Sequence, residues 1–115
     1  MTHSAEEFTP SRLVGHDDGS YSLCFDDFGT SEDIMVTRGL EGGGYTWHAV
    51  VESLVRLHAP SIADRVGYDP EASMFAAYSD DREALLTIAQ LIRRAIADEA
   101  VLLEAIDNAD EDLLE

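Results

Sequence analysis

Ala72 to Ala97 reads ASMFAAYSDDREALLTIAQLIRRAIA, and its apolar positions change period part-way along. Up to Ser79 they alternate, Met74, Ala76 and Tyr78 against Phe75 and Ala77, the pattern of a strand with two unlike faces. Beyond it Leu85, Ile88, Ala89, Ile92, Ala95 and Ile96 recur at three- and four-residue spacing, an apolar stripe along one side of a helix ending near Ala97. Asp80 and Glu83 form a capping-box-like start for that helix, with Ser79 as the rival cap. A strand that feeds an amphipathic helix predicts a sheet covered by helices.

Working outward, both periods recur. Toward the N-terminus, Ser20 to Asp26 alternates Tyr21, Leu23 and Phe25 against Ser22 and Cys24, a second strand. Phe8 to Val14 is a further strand, at an edge because Pro10 lacks a donor, and the turn cluster Gly15 to Gly19 joins the two as a hairpin. Asp27 to Ser31 turns the chain again. Asp33 to Arg38 alternates Ile34 and Val36 against Met35 and Thr37, which reads as the third strand of a meander. Gly39 to Gly44 breaks the pattern. Trp47, Val50, Val51, Leu54 and Leu57 then mark one face of a helix, with Glu52 and Arg56 as an i,i+4 pair on another and Pro60 as its stop. Ser61 to Val66 suggests a short helical turn before Gly67. At the far end Asp98 caps a last helix carrying Val101, Leu102 and Ile106. The predicted order is β-β-β-α-β-α-α, an α+β fold. In it an antiparallel sheet of about four strands is packed on one face by helices. A single domain over 1–115 is expected, with an acidic helix or tail from about 98.

The chain has 115 residues, 24 Asp plus Glu, seven basic residues that are all Arg, and a formal net charge of −17. A 45% hydrophobic content separates it from disordered acidic tails. Residues 1–41 hold nine acids and two Arg, and 98–115 hold eight acids and no base, so the charge concentrates at the ends. Such a surface repels phosphate backbones and anionic lipid, which argues against nucleic-acid and membrane partners. It suits a basic protein partner, although acidity also serves plain solubility. No run of apolar residues is long enough to span a bilayer, the first residues lack a secretory pattern, and the single Cys24 allows no internal disulfide. These features point to the cytoplasm.

Chemistry is sparse. His48 and Glu52 are spaced i,i+4, but a zincin-type site needs a second His there; a solvated pair is the simpler reading, and no metal site is predicted. Cys24 sits mid-strand as a small hydrophobe with no neighbour to lower its pKa. The acid pairs Asp17-Asp18, Asp26-Asp27 and Asp80-Asp81 fall in loops or on opposite strand faces, where hydrated surface charge is the ordinary outcome. Asp107 to Asp112 lacks the alternating oxygens and central Gly of a calcium loop. Gly42-Gly43-Gly44 precedes a helix without a phosphate-binding Lys. No catalytic residue and no cofactor are expected.

Two motifs exceed what folding alone demands. Gly44-Tyr45-Thr46-Trp47 sets two large aromatics at a helix start, where Trp47 fills the core or meets a partner. Tyr68-Asp69-Pro70-Glu71-Ala72-Ser73-Met74-Phe75 leads into a strand, with Glu71 bonding within the turn or presented to a ligand. A G-Y-x-W segment opening a helix, then D-P-E-A-x-M-F entering a strand, then S-D-D-x-E-A-L before a long helix, resembles the immunity protein 51 family. The resemblance runs from about Gly43 to Ala97. It implies a non-enzymatic cytoplasmic antidote that binds and neutralises the toxin domain of a bacterial polymorphic toxin system, with Tyr45, Trp47, Glu71 and Phe75 as the matching positions. Many such toxins are nucleases with basic active sites, which an acidic inhibitor suits. The expected partner-binding set joins Asp17, Asp18, Asp26, Asp27, Glu32 and Asp33 with Tyr45, Trp47 and Glu71, and the acids from Asp107 to Glu115 form a second surface. The chain is expected as monomer or homodimer. Two rival functions stand beside this one: an acidic adaptor or homodimer without a toxin partner, and a small-molecule or enzymatic domain using Tyr45, Trp47, His48 and Glu71.

Overall fold

The computed structural model describes residues 8–113. Strands β1 (Arg12–Gly15) and β2 (Tyr21–Phe25) form a hairpin, followed by helix α1 (Glu32–Thr37) and helix α2 (Gly44–His58). A 3-10 segment, Pro60–Arg65, leads to β3 (Gly67–Tyr68) and β4 (Phe75–Ser79), then helices α3 (Arg82–Ala97) and α4 (Glu99–Asp107). All strand pairs are antiparallel and the sheet order is β1-β2-β4-β3. The fold is α+β, as the two periods predict, and its antiparallel sheet has four strands.

Three expectations change in detail. Asp33 to Arg38 is helical, not a strand. Alternation over six residues cannot separate the two states, and local bonding decides. Gly39, at φ 75°, ends α1 with Leu40 N–H donating to Met35 O (2.8 Å) and Gly39 N–H to Val36 O (2.9 Å). That is a Schellman closure, which needs the left-handed conformation glycine adopts cheaply. Glu32 and Asp33 lie in the first turn, where the helix dipole favours acids. The fourth strand is instead the two-residue β3, too short to show a period. Finally, β1 begins at Arg12 rather than Phe8, whose side chain is buried in the core.

Strand β2 sets the layering. Its Leu23 and Phe25 face the helices and are fully buried, opposite Ala77 and Phe75 of β4. Helix α2 supplies Trp47, Val50, Val51 and Leu54 to this core, all fully buried, whereas Leu57 is partly exposed. From α3 come Leu85, Ile88, Ala89 and Ile92, and α4 adds Leu102, Ala105 and Ile106. The C-terminal acidic segment is therefore anchored by a packed helix. Capping confirms the third helix but moves its cap: Asp81, not Asp80 or Ser79, accepts from Glu83 N–H and Ala84 N–H. Asp98 caps α4 through Ala100 N–H.

Candidate functional site

The strand registers fix which side chains share the uncovered face of the sheet. Across β1, β2 and β4, Val14 lies opposite Ser22 and Ser22 opposite Tyr78; one rung on, Arg12 meets Cys24 and Cys24 meets Ala76. Beyond β3 the pairing continues, with Asp69 N–H donating to Ala76 O (2.9 Å) and Glu71 bridging Met74. Residues opposite each other in a ladder point the same way, so Asp69 and Glu71 join this face. None of these nine side chains is buried, in contrast to Leu23, Phe25, Phe75 and Ala77 behind them.

The nine candidate residues separate into groups. Asp17 and Asp18 sit in the β1–β2 loop, both exposed. Asp18 is part of the turn: its carboxylate accepts from Ser20 N–H (3.0 Å) and from the Ser20 hydroxyl (2.6 Å), which together hold its pKa below the ordinary value. Asp26 and Asp27 lie at the other end of β2, so at ~3.3 Å per residue the two pairs stand roughly 25 Å apart. Asp26 pairs with Arg12 at 3.3 Å. Glu32 and Asp33 are exposed on α1, near that second end. A cavity of about 180 Å³ there is lined by Phe28, Gly29, Glu32, Glu41, Gly42 and Gly43, well below the several hundred Å³ of a small-molecule site.

The remaining three residues occupy the junction of the two sequence motifs. Gly44 N–H donates to Ala72 O (3.0 Å), and a Cβ on Gly44 would stand 1.8 Å from Glu71 O and 2.4 Å from Met74 O. The helix start is thus seated directly on the Asp69–Met74 turn, which requires glycine. Tyr45, the residue after this contact, is 46% exposed, and Glu71 on the turn faces solvent. Trp47 is fully buried, edge-on to Phe25 with ring centroids 4.9 Å apart. Its ring builds the core and presents no surface to a partner, so that one expected contact is corrected.

The features considered for catalysis do not converge. Among the described residues no group of three His, Cys, Asp or Glu is arranged to hold a metal. His48 is half-buried with its ring 4.8 Å from that of Tyr68, and desolvation lowers its pKa while Glu52 partly opposes the shift. Burial, with Glu52 nearby, pushes the Tyr68 hydroxyl up to about 12. Glu52 is engaged by Arg56, whose Nη2 donates to it at 2.8 Å. Trp47 is sealed inside while Tyr45 and Glu71 face solvent, so these residues do not wall one pocket with His48. Asp69 was absent from the candidate set. Its signal is the register of β3 on β4, which a two-residue strand does not announce.

A comparison with protein families matches Immunity protein 51 over residues 12–111. The chain belongs to the immunity protein 51 family. The match takes in the β1–β2 hairpin and the acidic C-terminal helix as well as the two motifs. Comparison with curated proteins gives no match, and comparison with solved structures gives none. Among the described residues no helix is long and apolar enough to cross a membrane.

Proposed function

We propose that this member of the immunity protein 51 family is a non-enzymatic cytoplasmic antidote that binds a basic toxin domain and excludes its substrate, a nuclease being the class whose active site best suits an acidic inhibitor. Family membership carries this reading. The net charge of −17 supports it, as does the exposure of Asp17, Asp18, Asp26, Asp27, Glu32 and Asp33 around the sheet. Complementary charge raises association toward about 10⁸ M⁻¹s⁻¹ at low salt. Exposed charges are screened beyond ~8 Å at physiological salt, so apolar contacts must hold the complex once formed.

Growth rescue tests the proposal. The chain is co-expressed with the C-terminal domain of the protein encoded immediately upstream. Killing by that domain alone and growth of the pair is the expected result. A domain that kills regardless of the chain, or is harmless without it, overturns the reading.

A further inference from the structure

We infer that the uncovered sheet face is the docking surface for a basic protein domain, an inference that rests on the function proposed above. The face is graded from apolar to acidic. Its first rung, Val14, Ser22 and Tyr78, sets a small residue between two large ones that are 45% and 51% exposed. Its second rung runs Arg12, Cys24, Ala76 and Asp69. The third holds Met74 and Glu71, with Asp26 one step past the Phe25–Phe75 pair. Ser22 and Cys24 along β2 lie low between Val14 and Tyr78, with the exposed His16 ring bonded to the Ser22 hydroxyl (2.8 Å), and offer a footing for an apolar side chain of the partner. Asp26, Asp69 and Glu71 supply the charge for its basic side chains, and Arg12 offsets one of the three. An apolar centre with a charged rim is the anatomy of a protein interface.

Size supports the same occupant. The five-residue strands β2 and β4 are about 17 Å long and the other two are shorter, so three gaps of ~4.8 Å give a flat area of at most about 240 Å². A standard interface covers about 800 Å² on each partner. The strands alone fall short, and a partner reaching that area also covers the loops at both ends, Asp17-Asp18 and Asp26-Asp27. Two acid groups too far apart for one contact thus become opposite rims of one surface.

Cys24, the chain's single cysteine, lies in the middle of the face and serves as a probe. The test uses the full chain with the upstream-encoded toxin domain. It measures Kd for wild type, Ser22→Arg and a control on the exposed side of α3, Gln90→Arg, and the maleimide labelling rate of Cys24 with and without the toxin domain. Ser22→Arg is expected to weaken binding at least 100-fold while Gln90→Arg stays within threefold, and complex formation should slow labelling at least tenfold. Should Ser22→Arg misfold, as judged by its melting curve, wild-type labelling decides alone. A complex that forms and rescues growth, yet leaves Cys24 labelling unchanged and Ser22→Arg at wild-type affinity, overturns the docking surface and spares the proposed function. Absence of both complex and rescue overturns both. Protection of Cys24 in the free chain, with a dimer in sedimentation, makes a second copy the occupant and overturns the basic partner.

Discussion

Gly44→Ala tests the junction on which the two family motifs meet. The new Cβ would overlap Glu71 O, at 1.8 Å, and Met74 O, at 2.4 Å. Both are backbone atoms, so relief requires the helix start and the Asp69–Met74 turn to separate. Overpacking of this kind costs about 1–3 kcal/mol, and losing the Gly44 N–H bond to Ala72 O adds about 1. Alanine's better helix propensity returns less than about 1 kcal/mol. The net loss is about 1–3 kcal/mol, against about 6–17 for a chain of this length, so the variant still folds. At about 4 °C per kcal/mol the melting temperature falls by roughly 4–12 °C. Urea unfolding followed by the fluorescence of Trp47, the single and fully buried tryptophan, measures the loss. Gly29→Ala is the control: a Cβ there meets nothing within 4 Å, and the change should be near zero. If Gly44→Ala unfolds within about 0.5 kcal/mol of wild type, the seating of α2 on that turn is wrong.

Trp47→Ala should cost about 3–5 kcal/mol in urea unfolding followed by far-UV circular dichroism, since it removes the single tryptophan, whereas Tyr45→Ala, nearly half-exposed, should stay within about 0.5; equal losses would contradict their placement. Asp98→Ala removes the side chain that accepts from Ala100 N–H and should cost about 1 kcal/mol, read as a lower urea midpoint at unchanged slope. The Arg65 guanidinium, 2.9 Å from Asp81, depresses that carboxyl, as do the bonds from Ala84 and Glu83 N–H. Its folded pKa lies below the unfolded value, so its contribution is complete above 3.8 and disappears as pH falls through the folded value. Melting temperatures of Asp81→Asn should therefore decline less steeply below that pH than those of wild type. Tyr68 titrates the opposite way. Raised to about 12 from 10.0, it withdraws stability as pH climbs between those values, and Tyr68→Phe should flatten that alkaline decline.

The elements long enough to show a period were legible in the sequence. The α2 and α3 stripes, the alternation of β2 and β4 and the Asp98 cap all appear where the spacing puts them. Six alternating residues, Asp33 to Arg38, were not decisive, because Gly39 acts there as a helix terminator and reads equally well as a loop. For the candidate site, the sequence showed that Ser22 and Cys24 share a side of β2. It did not show what lies beside them. That depends on a pairing between strands some fifty residues apart, which long-range packing selects. Asp69 therefore carries no signal in the sequence, and Trp47 suits core and surface alike until α2 packs it edge-on to Phe25.

Among the described residues the order β1-β2-β4-β3 leaves two open edges, and they differ in what they offer a passing chain. Only two residues of β3 are strand before Pro70, which has no N–H to donate. Lateral growth by strand addition requires a long flat row of unpaired groups, and this edge withholds it. The four residues of β1 are preceded by Pro10 and begin with charged Arg12, which narrows the other edge. Neither edge thus presents the long flat row of unpaired groups along which sheets join edge to edge.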